Sequence, residues 1–144
     1  MKKRNTLRAF TIVEILVVVV IIAVLASIIA PRLLSRVGQS KQAVAKANAE
    51  SLATNVRLYM GDGGPLESDG DLRMLMERPS SMTEDQWKGP YLNNADEIKD
   101  PWGNEFVLIV PGQFNTDFDV VSYGADGQAG GEGDNKDIIN GKKD

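Results

Sequence analysis

The chain has 144 residues, 16 basic and 20 acidic side chains, and neither His nor Cys. That is the length of one domain, without a disulfide framework, a thiolate nucleophile, a Cys-based metal site or an imidazole proton shuttle. A net charge of −4 argues against nucleic acid as a partner, because phosphate neutralisation needs clustered Lys and Arg.

Residues 1–9 (MKKRNTLRA) carry Lys2, Lys3, Arg4 and Arg8 and no acid. Residues 15–30 (ILVVVVIIAVLASIIA) follow, with only Ser27 polar, and residues 10–30 as one helix would span about 31 Å, a bilayer core. A membrane-spanning helix is predicted, with the basic leader cytoplasmic and everything past Pro31 beyond the membrane. A cleaved secretory signal, a plain signal anchor and a tail-like single span share these features. Glu14 distinguishes them: a carboxylate inside an apolar run costs roughly 3 kcal/mol on insertion scales and is expected to have a partner or a function.

Arg8-Ala9-Phe10-Thr11-Ile12-Val13-Glu14-Ile15 resembles the class III signal of type IV pilins and type II secretion pseudopilins. The resemblance implies that a prepilin peptidase cuts between Ala9 and Phe10, that the new amine is N-methylated, and that Glu14, fifth from Phe10, serves assembly. Ala9 stands where the family usually carries Gly. In a filament of such helices the Glu14 carboxylate can pair with the Phe10 amine of a neighbouring subunit, offsetting the burial of both charges. The bland alternative is a Glu14 that snorkels to the interface.

Pro31 is expected to kink the helix without ending it. From residue 32 to 60 an amphipathic stripe of Leu33, Val37, Val44, Ala47, Leu52, Val56 and Tyr59 predicts that the helix continues and lies against a globular head. Gly61-Asp62-Gly63-Gly64-Pro65 should end it. Ser68 or Asp69 could cap a short helix with Leu72, Leu75 and Met76 on one face. Asp100-Pro101-Trp102-Gly103-Asn104 reads as turns, with Trp102 closing the core beside them. Residues 105–110 (EFVLIV) and 118–123 (FDVVSY) read as β-strands joined through Pro111-Gly112, giving a small antiparallel sheet.

Residues 122–138 (SYGADGQAGGEGDNKDI) have site-like chemistry. Glycines allow carbonyls to turn inward, and Asp126, Glu132, Asp134 and Asp137 are hard oxygen donors, a mixture that suits calcium; Asp and Gly are equally the residues of plain turns. Lys88-Gly89-Pro90-Tyr91-Leu92, the segment from Lys99 to Asn104 and Ser122-Tyr123-Gly124-Ala125-Asp126-Gly127 resemble the major pseudopilin family, in which a loop after the last of these segments binds calcium. That resemblance implies Asp126 as the best ligand, Asp137 as the second, then Asp134 and Ser122 or nearby carbonyls. Asp119, in the preceding strand, is expected to stand apart.

The expected architecture is α+β and type IV pilin-like: a long N-terminal membrane-spanning helix packed against a small antiparallel sheet. Its parts are a cleaved leader (1–9), a transmembrane assembly helix (10–31), the amphipathic half of that helix (32–60) and a periplasmic head with the calcium loop (61–144). The resemblance implies a non-enzymatic subunit of the type II secretion pseudopilus, a homopolymer in the bacterial inner membrane. Its expected partners are prepilin peptidase, minor pseudopilins and the inner-membrane assembly platform. A type IV pilin and a monomeric membrane-anchored calcium module remain as alternatives. A carboxylate-only hydrolase is disfavoured because the acids cluster on a glycine-rich loop instead of facing one another across a cleft.

Overall fold

The computed structural model describes residues 10–67 and 70–143. The leader, Ala9 and the two proposed cap residues Ser68 and Asp69 lie outside them. Helix α1 runs Ile12–Gly61 and continues through Pro31. Up to Val37 it forms a compact unit of its own, and the head comprises residues from Gly38 onward. In the first unit the large apolar side chains are exposed throughout, Val17 and Val37 being the least so at 48%. This segment is long and apolar enough to cross a bilayer.

In the head, the buried face of α1 is Gly38, Ala45, Ala49, Leu52, Ala53, Val56 and Tyr59. Leu52, Val56 and Tyr59 fall as the stripe predicted. Val44 and Ala47 do not: both are exposed, and the alanines one and two positions on take their place. Small residues let the helix backbone approach the sheet closely, which a periodicity weighted toward large side chains overlooks. The helix closes with Gly64 N–H donating to Tyr59 O (3.0 Å) and Gly63 N–H to Met60 O (3.0 Å), Gly63 having φ 87°. This pair of bonds is a Schellman cap, the role the glycine cluster was expected to fill.

A 3₁₀ turn, Leu72–Leu75, replaces the expected short helix. Its cap is Asp71, whose side chain accepts from Arg73 N–H at 2.9 Å. Strand β1 is Val107–Ile109, β2 is Asp119–Ser122 and β3 is Ile138–Ile139. They form one antiparallel sheet in the order β1-β2-β3, with Leu108 opposite Val120 and Ser122 opposite Ile138. The first two strands lie inside their predicted ranges; β3 was not foreseen. Two residues are too short to show alternation.

Leu52, Val56 and Tyr59 of α1 pack with Leu72, Leu75, Leu92, Ile98, Phe106, Leu108, Phe118 and Val120 in one core. Every residue of β2 is buried, because it is the central strand and loops cover the face away from α1. That burial takes in two polar side chains, Asp119 and Ser122, which therefore need partners.

Candidate functional site

Two regions carry the predicted chemistry, and each belongs to a different unit. At the start of α1, Thr11 and Glu14 form a reciprocal cap. Thr11 donates to Glu14 Oε2 from its backbone N–H (3.0 Å) and its hydroxyl (3.1 Å), while Glu14 N–H donates to Thr11 Oγ1 (3.2 Å). This is a capping box, readable in the sequence as Thr-x-x-Glu ahead of an apolar run. Phe10 beside it is 80% exposed. The cap directs the carboxylate back toward the terminus that cleavage before Phe10 would create.

The second region is the loop between β2 and β3. Its entry is held from below by the Asp-Pro-Trp-Gly-Asn turn. Asp100 Oδ1 accepts from Trp102 N–H (3.0 Å) and Asn104 N–H (2.9 Å), and Asp100 Oδ2 accepts from the Ser122 hydroxyl at 2.6 Å. Asn104 Nδ2 then donates to Gly124 O at 2.7 Å. Across the loop, Ala125 N–H donates to Asp134 O at 2.8 Å. Gly124 makes this closure possible: its φ is +66°, and a Cβ there would lie 2.6 Å from Asp134 O.

Of the predicted ligands, Asp126 is exposed, with Oδ1 accepting from Gln128 N–H at 3.1 Å. Asp137 Oδ2 accepts from Gly130 N–H at 2.9 Å, while its Oδ1 is buried without a partner. A buried carboxylate oxygen in that condition is what a bound cation would satisfy, so the donor chemistry of the loop fits calcium. The other two candidates are engaged elsewhere. The Ser122 hydroxyl is fully buried, donating to Asp100 and accepting from Gly124 N–H (3.2 Å). Asp134 packs its carboxylate against Gly38 of α1, and beside it Gln42 Nε2 donates to Gly133 O at 2.6 Å. Of the side chains that the resemblance implies, Asp126 and Asp137 are thus the two whose carboxylates bond only within the loop itself. Among the described residues, no group of three acidic side chains converges as a metal centre.

Asp119, expected to stand apart from the ion, has its carboxylate on a different loop, residues 113–115. Its Oδ2 accepts from the backbone N–H groups of Gln113 (2.6 Å) and Phe114 (2.8 Å), and its Oδ1 from Asn115 N–H and Nδ2. Burial by itself would raise its pKa; these bonds outweigh burial and lower it. Asp100 and Asn104 were likewise read only as turn formers. The sequence shows their turn propensity, not the loop residues 20 or more positions away that they hold.

Residues 32–141 match the family described as type II secretion system protein G, and residues 4–30 match the prokaryotic N-terminal methylation motif. The chain is 36% identical over 142 residues to type II secretion system core protein G of Vibrio cholerae, covering 97% of this chain and 95% of the relative. It is also 36% identical over 141 residues to the Pseudomonas aeruginosa core protein G, covering 96% and 97%. Its fold matches a crystal structure of the major pseudopilin of enterohaemorrhagic Escherichia coli with a TM-score of 0.61 and 25% identity, over 75% of this chain and 88% of that one.

Proposed function

The chain belongs to the type II secretion system protein G family, the family of the major pseudopilin, and on that premise we propose how its residues serve a pseudopilus. It is a structural subunit held in a membrane by the first part of α1. The observation that carries this reading is the succession, in one chain, of an N-terminal methylation motif over residues 4–30 and the protein G match over residues 32–141.

The basic leader stays cytoplasmic and the head enters the periplasm, in line with the placement of Lys and Arg ahead of the apolar run. Prepilin peptidase removes residues 1–9, and the capped Glu14 then meets the Phe10 amine of a neighbouring subunit. Minor pseudopilins and an inner-membrane assembly platform are the further partners. The protein performs no catalysis; its acids serve structure. The loop between β2 and β3 takes up calcium through Asp126 and Asp137, and the ion supplies a charge that the carboxylates otherwise lack. The buried, unpartnered Asp137 Oδ1 supports this reading.

Coexpression with the peptidase and the assembly platform tests the function. Wild-type chain should form fibres, whereas Glu14→Ala should insert but incorporate poorly. Wild-type fibre yield from Glu14→Ala would show that Glu14 only snorkels, and no fibre from the wild type would end the pseudopilin reading.

A further inference from the structure

The chain contains one Asn-Gly pair, Asn140-Gly141, directly after β3. Asn-Gly is the dipeptide in which a backbone nitrogen most readily attacks the preceding side-chain amide, because glycine puts no Cβ in the way. Gly141 has φ 76°, a left-handed conformation open to glycine. Both groups that such an attack needs are held in place here.

Asn140 has no exposed surface. Its N–H donates to Val120 O at 3.1 Å and its Oδ1 accepts from Val120 N–H at 2.6 Å, so backbone and side chain together prolong the pairing of β3 with β2. Its carbonyl accepts from Asn115 Nδ2 at 2.9 Å. The amide that would be attacked is thereby fixed to β2. The attacking nitrogen is fixed to a different element: Gly141 N–H donates to Glu50 Oε1 of α1 at 2.5 Å. Lys142 N–H, donating to Ile139 O at 3.3 Å, closes the turn behind it.

We infer that Asn140-Gly141 is a latent deamidation site whose conversion undoes β3, and that the Glu50 carboxylate is the latch that keeps it shut. When the turn opens, the Gly141 nitrogen gives its proton to solvent and bonds to Asn140 Cγ. The Cγ–Nδ2 bond breaks, and the side-chain nitrogen takes a proton back from solvent and leaves as ammonia. Water then opens the cyclic imide at either carbonyl, giving aspartate or isoaspartate. Neither product suits the site. Asn140 Nδ2 is buried with no partner among the described residues, so aspartate puts a charged oxygen where no donor stands. Asp119, which shares Asn115 with residue 140, is a second buried carboxylate in the same network. Isoaspartate lengthens the backbone by a methylene and breaks the register that pairs Ile139 with Val121.

The test uses the detergent-solubilised full chain, incubated above neutral pH and then digested with trypsin. The peptide of residues 137–142 is weighed for conversion of amide to acid and separated into its aspartate and isoaspartate forms. The folded wild type should convert more slowly than the same chain in denaturant. Glu50→Ala should convert about tenfold faster than the folded wild type, the contribution of a hydrogen bond to a charged acceptor. Glu50→Gln, which keeps an acceptor oxygen, should stay closer to the wild-type rate. Leu75→Ala truncates the core at the 3₁₀ turn and separates local from global opening; it should leave the rate unchanged. Asn140→Asp, the product itself, should melt below the wild type. Equal rates for folded and denatured wild type would overturn the inference, as would the same acceleration by Leu75→Ala as by Glu50→Ala. Slower conversion in Glu50→Ala would make the carboxylate the base and not the latch, and a wild-type melting temperature for Asn140→Asp would show that β3 survives the conversion; either result overturns it too.

Discussion

Asn115 contributes two hydrogen bonds to the Asp119 carboxylate, one from its backbone N–H and one from its side-chain Nδ2, both at 2.8 Å. With Gln113 and Phe114 adding two more, a side chain with no exposed surface shapes residues 113–115. Asp119→Ala would remove the shared acceptor of four part-buried hydrogen bonds and should cost about 2 kcal/mol or more, measured by denaturant unfolding of the solubilised chain. Asp119→Asn, which keeps one acceptor oxygen, should cost less. A loss below about 1 kcal/mol for the alanine variant would mean that water replaces the carboxylate.

The same bonds set a pH dependence. Asp119 has a lowered pKa in the folded chain, whereas an unfolded Asp titrates near ~3.9. Its contribution is fully present above the unfolded value and is lost as pH falls through the folded one. The melting temperature should therefore fall below about pH 4, and more steeply for the wild type than for Asp119→Asn. Parallel curves for the two proteins would assign the acid loss to other carboxylates.

What the sequence made legible follows the strength of its patterns. The apolar run, Glu14 and the strands at Val107–Ile109 and Asp119–Ser122 each combine a period with flanking breakers. The alanine face of α1 and the two-residue β3 carry no such signal, since one depends on close approach and the other on pairing with β2. The acidic loop was found by composition, but its internal division was not. Nothing in the local sequence says that Asp134 meets Gly38, 96 positions earlier, while Asp137 keeps a free buried oxygen.

Processing is tested directly by mass. Coexpression with a prepilin peptidase should remove residues 1–9 and leave Phe10 as an N-methylated terminus, and Ala9→Gly should process at least as well. Intact Met1-to-Ala9 on the membrane-extracted protein would remove the peptidase from the list of partners.

Two glycine substitutions separate backbone from side-chain constraint. Gly124→Ala places a Cβ at φ +66° and against the backbone of Asp134 and Asn135, neither of which can rotate away. It should destabilise the head by about 2 kcal/mol and speed hydrogen exchange over residues 125–137. At Gly38 the three atoms nearest a Cβ all belong to the Asp134 carboxylate, an exposed side chain that can turn aside, and alanine gains about 1 kcal/mol of helix propensity. Gly38→Ala should thus lie within about 1 kcal/mol of the wild type. Reversed ranks would place the constraint in the Asp134 side chain.

The last prediction concerns the cation. Calcium should raise the melting temperature of the detergent-solubilised chain, and chelator should loosen residues 122–138 in hydrogen exchange. A ligand that binds only the folded state adds RT ln(1 + [L]/Kd), about 2.7 kcal/mol at a hundredfold excess over Kd. Magnesium should do less, because it demands a small octahedral shell and gives up water reluctantly. Asp137→Ala removes the buried oxygen that lacks a partner, and Asp126→Ala the other side-chain ligand, so each should abolish most of the calcium shift relative to its own calcium-free baseline. Asp134→Ala, whose carboxylate rests on Gly38, should keep most of it. Ser122→Ala should lower the baseline through Asp100, by breaking the 2.6 Å bond, yet still respond to calcium. Equal melting curves with calcium and with chelator would reduce Asp126 and Asp137 to turn residues. A shift lost in Asp134→Ala but kept in Asp137→Ala would restore Asp134 to the ligand set and leave the buried oxygen of Asp137 to some other partner.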